Sequence, residues 1–511
     1  MYSLKFVLDN KICLILSIKR IISIFISSMN KMNNFEKAKQ LFQQGLNNLQ
    51  DENYDYAEEK LLECLKLVPN RISTLQNLIS VYIATEQKKK LKEILNSHYH
   101  LINEDVIKYG FAFDQYFDQN YSKSIEICKK LINLDNFKYS ISDLLASNFK
   151  KQKLFLKSLK IYKKKLKEKK DYLIYYNIGN LFLELGRINK AIYYFKKSEN
   201  LKKIDNSNLW NLSLCYLTSG NLDKGFELYE YRWLKKFNKP IKKFENIKTP
   251  LNTKEIINRN ILISDEQGLG DTIQFSRFVI DLLKFTKKIT FVVNSKLVKL
   301  LSNLDKNINV IEYNDLKTND FDFHLSLCGL PLFLKIKDKN DVIYYPLNFN
   351  NKNKINFDKN NINIGLSWSG STFYPSDEYR SIPFKNFKEI LNIKKINFFK
   401  LSQNIRNKEF LNYHSFSNLF DYGDKSLFEI SEVMKELDLV ISVDTSIIHL
   451  AGILDIKSIL LLNYNSDWRW FEDDKKTVWY PSVEIIKQKT FNSWDNVFYE
   501  LKEKIEKLTK K

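Results

Sequence analysis

Three short segments hold the residue types that could do chemistry in this chain. The first is Gln267-Gly268-Leu269-Gly270-Asp271, where a short apolar run breaks and an amphipathic helix begins. Glycines at such a junction let backbone N–H groups approach a ligand, and the helix N-terminus behind them favours negative charge. Asp271 adds a carboxylate at the same mouth, the type of group that serves as a general base. The third glycine of a dinucleotide fingerprint is absent, as is the Lys-Ser/Thr of a P-loop. A tight strand-to-helix turn with Asp271 as a first-turn cap is the other reading.

The second segment is Ser369-Gly370-Ser371, followed by Arg380-Ser381-Ile382-Pro383. A small, hydroxyl-rich loop near an arginine suits phosphate oxygens, because the guanidinium offers a bidentate fork. A surface ion pair of Arg380 with Asp377 or Glu378 is the alternative. The third is Val443-Asp444-Thr445-Ser446-Ile447-Ile448-His449. A buried strand ends at Asp444, Thr445 and Ser446 can cap the next helix, and His449 lies four residues after Thr445 on the same face. Free N–H groups at that helix start would receive a diphosphate. The competing reading has Asp444 and Thr445 only capping, with His449 a satisfied interior histidine.

These segments sit in a second half that alternates strand and helix. Strands are expected at Ile261–Ser264, Ile289–Val293, Asn309–Tyr313 and Phe321–Leu327, with helices near Asp271 and Ser295. After a polar bridge, Asn348–Asn361, a second series follows at Ile362–Trp368, Ile396–Ser402, Leu437–Asp444, Ser458–Leu462 and Glu484–Gln488. Helices are expected at Pro383–Leu391, Ser426–Lys435 and Thr445–Leu454. Two βα series joined by a linker imply two parallel-sheet domains facing across a cleft, with ligands outside the carboxyl ends of strands. A final helix, Trp494–Leu508, is expected to cross back to the first of them.

The first half is helical and repetitive. Pro69 is the only proline before Pro240, and seven stand from Pro240 onward. Asn177–Ala191 aligns with Asn211–Gly225 at a shift of 34 residues. The same frame returns in Phe42–Pro69 and Phe113–Leu134, with Asn53-Tyr54 and Asn120-Tyr121 at the turns. Each unit reads as two short helices with small residues where they approach. This resembles the tetratricopeptide repeat, and the frame counts five or six units, the third and fourth degenerate. Stacking such units builds a concave surface that holds a peptide or protein segment, or serves as a spacer.

Composition narrows the classes further. The chain has 511 residues, 44% hydrophobic, enough for roughly three domains with sizeable cores. Its net charge of +21 is nearly all lysine, without zinc-knuckle, homeodomain or RNA-binding aromatic signatures, so no nucleic-acid partner is expected. Five scattered cysteines without a CxxC read as reduced, buried thiols of a cytoplasmic protein. The five histidines include no HExxH and no closely spaced pair on one helix face, so no metal is expected. Residues 1–32 carry an apolar stretch, Ile12–Ser28, interrupted by Lys19-Arg20. It reads as a misassigned start with the true one at Met29 or Met32, an amphipathic segment giving weak peripheral membrane association, or a signal anchor.

Gly-Leu-Gly-Asp after a first strand, Trp-Ser-Gly then Arg-Ser-Ile-Pro, and Val-Asp-Thr-Ser-x-x-His-Leu-Ala-Gly together resemble one known group. It comprises bacterial tetratricopeptide-repeat proteins with a C-terminal domain similar to the heptosyltransferases, glycosyltransferase family 9. Asp467-Trp468-Arg469-Trp470 and Trp479-Tyr480-Pro481 fit the same group. The resemblance implies an α-solenoid followed by a GT-B fold of two Rossmann-like parallel-sheet domains. The expected boundaries are a leader at 1–32, solenoid at 33–239, linker at 240–258, acceptor-side domain at 259–350, donor domain at 360–495 and C-terminal helix at 496–511. It further implies metal-independent inverting transfer from a nucleotide-sugar to a hydroxyl acceptor, with no other cofactor, the acceptor being a protein where the repeats recruit one. Asp271 matches the aspartate that deprotonates the acceptor, beside the acceptor-side loop Gln267, Gly268, Leu269 and Gly270. Asp444, Thr445 and His449 match helix-start residues that hold the donor, joined here by Ser446, Ser369, Gly370 and Ser371. Arg380 stands where the family usually has a lysine near the donor phosphates, and the loop after Trp368 departs in sequence and length. A non-catalytic repeat scaffold with a vestigial nucleotide-binding module is the alternative.

Overall fold

A computed structural model describes residues 34–101, 104–132, 138–202, 206–234, 244, 246–317, 320–348, 357, 360–372, 377–402, 416–472 and 475–510. The leader and most of the asparagine-rich bridge lie outside these residues. The chain divides into two compact units, residues 1–169 and 170–511.

The first unit stacks helices in pairs. They are α1 (34–50), α2 (Tyr54–Leu67), α3 (Ile72–Ala84), α4 (Lys88–Ser97), α5 (Asp105–Phe117), α6 (Tyr121–Leu131), α7 (Lys138–Lys151) and α8 (Phe155–Glu168). The second unit opens with two more pairs, α9 (Tyr172–Glu184) with α10 (Ile188–Leu201) and α11 (Asn206–Thr218) with α12 (Leu222–Tyr229). Each pair turns through one residue of left-handed backbone: Glu52, Glu86, Gln119, Lys153, Gly186 and Gly220. Their spacing of 33 or 34 residues is the period read from the sequence, and it persists through the pairs whose letters have drifted. Small residues mark helix contacts: a Cβ on Gly179 would stand 2.6 Å from the Phe195 ring.

Two parallel sheets follow in the second unit. The first runs β3-β2-β1-β4, with β1 Asn260–Ser264, β2 Lys288–Val293, β3 Ile308–Glu312 and β4 Phe323–Ser326. Helices α13 (Leu269–Leu282) and α14 (Ser295–Leu301) connect its first three strands. The second runs β10-β9-β8-β5-β6-β7. Its strands are β5 Ile362–Ser367, β6 Ile396–Lys400, β7 Leu419–Asp421, β8 Leu439–Val443, β9 Ser458–Leu462 and β10 Val483–Lys487. Strands β8 and β9 are buried along their whole length, as continuous apolar runs require when both faces of a sheet are covered. Sheet order reverses beside β1 in the first sheet and beside β5 and β8 in the second. The three segments singled out for chemistry therefore leave the sheets at their switch points.

Some elements differ from expectation. β7 is an additional strand. The helix expected at Pro383–Leu391 is a 3-10 turn, Phe384–Phe387, followed by a single α turn, Lys388–Leu391. The C-terminal helix, Asp495–Thr509, does not cross back: Val497, Leu501 and Ile505 pack into the second sheet's core with Ile364, Phe387 and Ile486. Phe244 and Ile256, assigned to a polar linker, are buried, Phe244 against Leu262 and Val292 of the first sheet. The last helix pair is built into the second unit, since Leu217, Phe226 and Tyr229 share one core with Phe275, Trp468 and Trp479. Cys64, Cys128, Cys215 and Cys328 are buried and free, while Cys13 lies outside the described residues. Among the described residues no helix is long and apolar enough to cross a membrane.

Candidate functional site

The turn after β1 is built differently from a phosphate cradle. Its left-handed residue is Gln267, φ +66°, while Gly268 has φ −100°, which any residue adopts. Gln267 is held there by the Tyr229 hydroxyl, 3.0 Å from its Nε2. The Gly268 N–H donates to Asp271 Oδ2 at 2.8 Å, so the chain's own carboxylate takes the first free donor of α13. Leu269 starts the helix and lies against the shared core. Gly270 is small because another helix presses on it. A Cβ there would stand 2.9 Å from His449 Cδ2 and 3.4 Å from Ser446 Cα.

That other helix, Ser446–Ile453, starts the segment after β8. Thr445 caps it, Oγ1 accepting from Ile447 N at 3.4 Å. The N-termini of the two helices thus meet, one from each sheet. Each carries a partial positive charge, and such an arrangement needs anions between the poles. Asp271 and Asp444 occupy those helix starts, and Asp467 closes the group.

Arg469 ties it together. Its Nη2 lies 2.5 Å from Asp271 Oδ1 and its Nη1 2.8 Å from Asp467 Oδ1. The guanidinium is buried over the Trp468 ring at 4.5 Å. Burial raises the Asp271 carboxyl above the ordinary carboxylate range, with Arg469 pulling against it. Asp444 is pushed up to about 6 by burial and by the neighbouring charge of Asp467, again against an arginine, Arg380.

Arg380 makes the ion pair with Asp377, and the pair is largely buried where a surface one was the expectation. Its Nε donates to Asp377 Oδ1 at 3.1 Å, and its Nη1 to the Asp444 carbonyl at 2.8 Å, which brings it to the start of the second helix. Gly370 makes room: a Cβ there would fall 2.6 Å from both Arg380 Nη2 and Asp377 Oδ1. The loop is fixed by Gly370 N–H donating to Ser381 Oγ at 3.0 Å. Ser369 is buried and Ser371 half-buried beside it.

His449 is an interior residue. Nδ1 lies 2.9 Å from the Tyr480 hydroxyl, and the ring stacks on Trp470 at 5.3 Å. Burial and the charges of Arg469, Arg277 and Arg380 hold its pKa well below the usual value. A neutral imidazole offers an anion a hydrogen bond and no charge. With Tyr480 as donor to Nδ1, Nε2 carries the proton and faces Asp444 Oδ1 at 3.9 Å.

Several residues here had no assigned role in the sequence. Arg469 lay in a noted tryptophan-rich segment, but its pairing with Asp271 spans almost two hundred residues. Arg232, fully buried, forms a bidentate pair with Glu266 at 2.8 and 2.9 Å. Glu266 also accepts from the Cys328 N–H at 2.8 Å, so the end of the helical repeats holds the loop that leads to Asp271. A cavity of about 690 Å³ opens at the ends of β1 and β4, between Trp233, Phe244, Ser264, Glu266, Gln267 and His324. His324 Nε2 lies 2.9 Å from Ser264 Oγ, and burial pushes its pKa down to about 4, leaving a neutral hydrogen-bonding group in a wall of mixed polar and apolar residues.

No family model and no curated protein matches the chain. Among solved structures it is similar to PilF of Pseudomonas aeruginosa (13% identity, TM-score 0.32), covering 38% of this chain and 90% of that one. It is similar to the iron-containing dodecameric glycosyltransferase TibC of enterotoxigenic E. coli H10407 (13% identity, TM-score 0.35), covering 47% of this chain and 66% of that one. It is also similar to the ADP-heptose lipopolysaccharide heptosyltransferase II of E. coli (12% identity, TM-score 0.34), covering 49% of this chain and 99% of that one. The helical-repeat proteins and the glycosyltransferases match different parts of the chain.

Proposed function

We propose that this protein is an inverting glycosyltransferase that uses a nucleotide-sugar donor. The observation that carries the reading is the meeting of two helix N-termini, one from each parallel sheet, around Asp271, Arg469 and Asp444. In this scheme the acceptor hydroxyl approaches from the cavity beside β1 and gives its proton to Asp271 as it attacks the anomeric carbon. A carboxylate raised by burial is a better base than a solvated one. Negative charge developing on the departing diphosphate falls to the start of helix Ser446–Ile453 and to Arg469 and Arg380. Ser369, Gly370 and Ser371 line the donor side, and His449 contributes a neutral N–H donor. The helical repeats present a protein acceptor.

The test is incubation of the purified protein with a panel of nucleotide-sugars, measuring nucleotide diphosphate release and transfer, alongside Asp271→Asn. Release that disappears in the variant supports the reading. No release from any donor, or an Asp271→Asn protein as active as the parent, refutes it.

One observation favours a binding role without turnover: Asp271 and Arg469 already satisfy each other. A substrate must separate them before the carboxylate can act. Calorimetric titration with nucleoside diphosphates distinguishes the two, because a binding module gives heat with no sugar transferred.

A further inference from the structure

The first unit carries a feature independent of the catalytic reading. Along α8, positions 156, 157, 160, 163, 164 and 167 recur at helical spacing and face outward, while Phe155, Ser158, Leu159, Tyr162 and Lys165 are buried. Beside the outward stripe, between α6 and α8, lies a groove of about 830 Å³. Its floor is apolar, made by Leu145, Phe149 and Leu159, and Leu156 stands on its edge 72% exposed. Its rim is cationic: Lys129, Lys157, Lys160, Lys163, Lys164 and Lys167.

Compositional bias does not account for this rim. Helix α2, of the same length as α8, carries four acidic residues and two lysines, whereas α8 carries six lysines and one glutamate. Other lysines of the unit have carboxylate partners, as Lys90 has Glu58 at 2.7 Å, Lys130 has Glu126 at 2.8 Å and the buried Lys165 of α8 has Asp143 at 2.5 Å. Among the described residues, none of the six rim lysines is ion-paired with a carboxylate. Lys157 rests over the Phe149 ring at 5.7 Å. The six cations still repel one another without a carboxylate partner, and the rest of the apolar floor stays wet, until one occupant answers both.

We propose that this groove docks an acidic amphipathic helix of a partner protein. A helix places apolar side chains on one stripe for the floor and carboxylates on both flanks for the rim. A flat anionic bilayer meets the lysines but does not reach a concave floor. A nucleic acid backbone meets them and leaves the floor empty.

The experiment uses the full chain and a fluorescein-labelled synthetic helix of about 20 residues, with leucines on one face and glutamates flanking them. Fluorescence anisotropy measures binding, with a scrambled peptide of identical composition as control. Vesicles of phosphatidylcholine and phosphatidylglycerol serve as the membrane arm. Micromolar binding is expected, weakened about tenfold by the scramble, by Leu156→Asp and by Lys160→Glu/Lys164→Glu, each a loss of about 1.4 kcal/mol. These side chains are exposed, so circular dichroism should show all variants folded. The proposal is overturned by equal affinity for the scrambled peptide, by indifference to Leu156→Asp, or by no binding at about 100 μM peptide. It is equally overturned if the vesicles bind, the same variants abolish that binding, and the peptide does not compete.

Discussion

Replacing Asp444 by asparagine should stabilise the second unit at neutral pH, and the gain should vanish in acid. The Asp444 side chain is 14% exposed, and its carboxyl is pushed up to about 6 by burial and by Asp467. A raised folded-state pKa means that the folded protein holds the proton more tightly than the unfolded chain. Stability therefore falls as pH rises from about 4 to about 6, and stays at the lower level above that. A shift of about two pH units corresponds to about 3 kcal/mol as an upper bound. Asparagine is neutral and nearly isosteric, and the backbone carbonyl that accepts from Arg380 is retained. All seven tryptophans lie at Trp210 or beyond, so their fluorescence during urea unfolding reports on the second unit alone. Asp444→Asn should be more stable by about 2 kcal/mol near pH 7.5 and equal to the parent near pH 4. A variant destabilised at every pH, or a difference that does not change with pH, would refute the reasoning.

Other perturbations probe the same mouth. Arg469→Met strands the carboxylates of Asp271 and Asp467, so the second unit should lose about 3 kcal/mol near pH 7 and recover part of it near pH 4, read by the same unfolding curves. Gly270→Ala would gain about 1 kcal/mol from helix propensity alone, yet its Cβ meets the His449 ring at 2.9 Å; thermal melts should show net destabilisation, and a raised melting temperature would deny the close helix approach. Arg232→Met removes a fully buried cation from Glu266 and should cost about 3–5 kcal/mol. It should also expose the Cys328 thiol to alkylation, measured by mass spectrometry.

Much of this architecture was legible because the physics is local. Strands buried on both faces must be apolar throughout, so β8 and β9 were visible as short runs. β7 was not, because it is a three-residue edge strand with Phe420 44% exposed and no burial pattern to betray it. The repeat was visible from small residues and turn asparagines. Its degenerate units keep their left-handed turns at Gln119 and Lys153, although neither is a residue that favours such backbone.

Site residues were legible as types, and their reasons were not. Gly270 stood out as a glycine at a strand-to-helix junction, which suggests a ligand. Its actual constraint is a histidine about 180 residues away, invisible to any local pattern. Arg380 was open between a phosphate contact and an ion pair, and folding makes it pair with Asp377 while reaching the second helix start. Arg469 had no local signature, because a lone arginine between tryptophans says nothing of the carboxylate it neutralises.

The balance of charge at the mouth follows from these placements. Two helix N-termini and two arginines supply positive potential, and Asp271, Asp377, Asp444 and Asp467 answer it. An entering diphosphate finds positive poles already occupied, so it binds only as carboxylates give way or take up protons. Asp444, with its pKa near 6, is the group placed to do so. Diphosphate affinity should then rise as pH falls through about 6, and Asp444→Asn should remove that dependence. A titration showing the same affinity at pH 5.5 and pH 7.5 in the parent would mean that the anion does not enter between these helices.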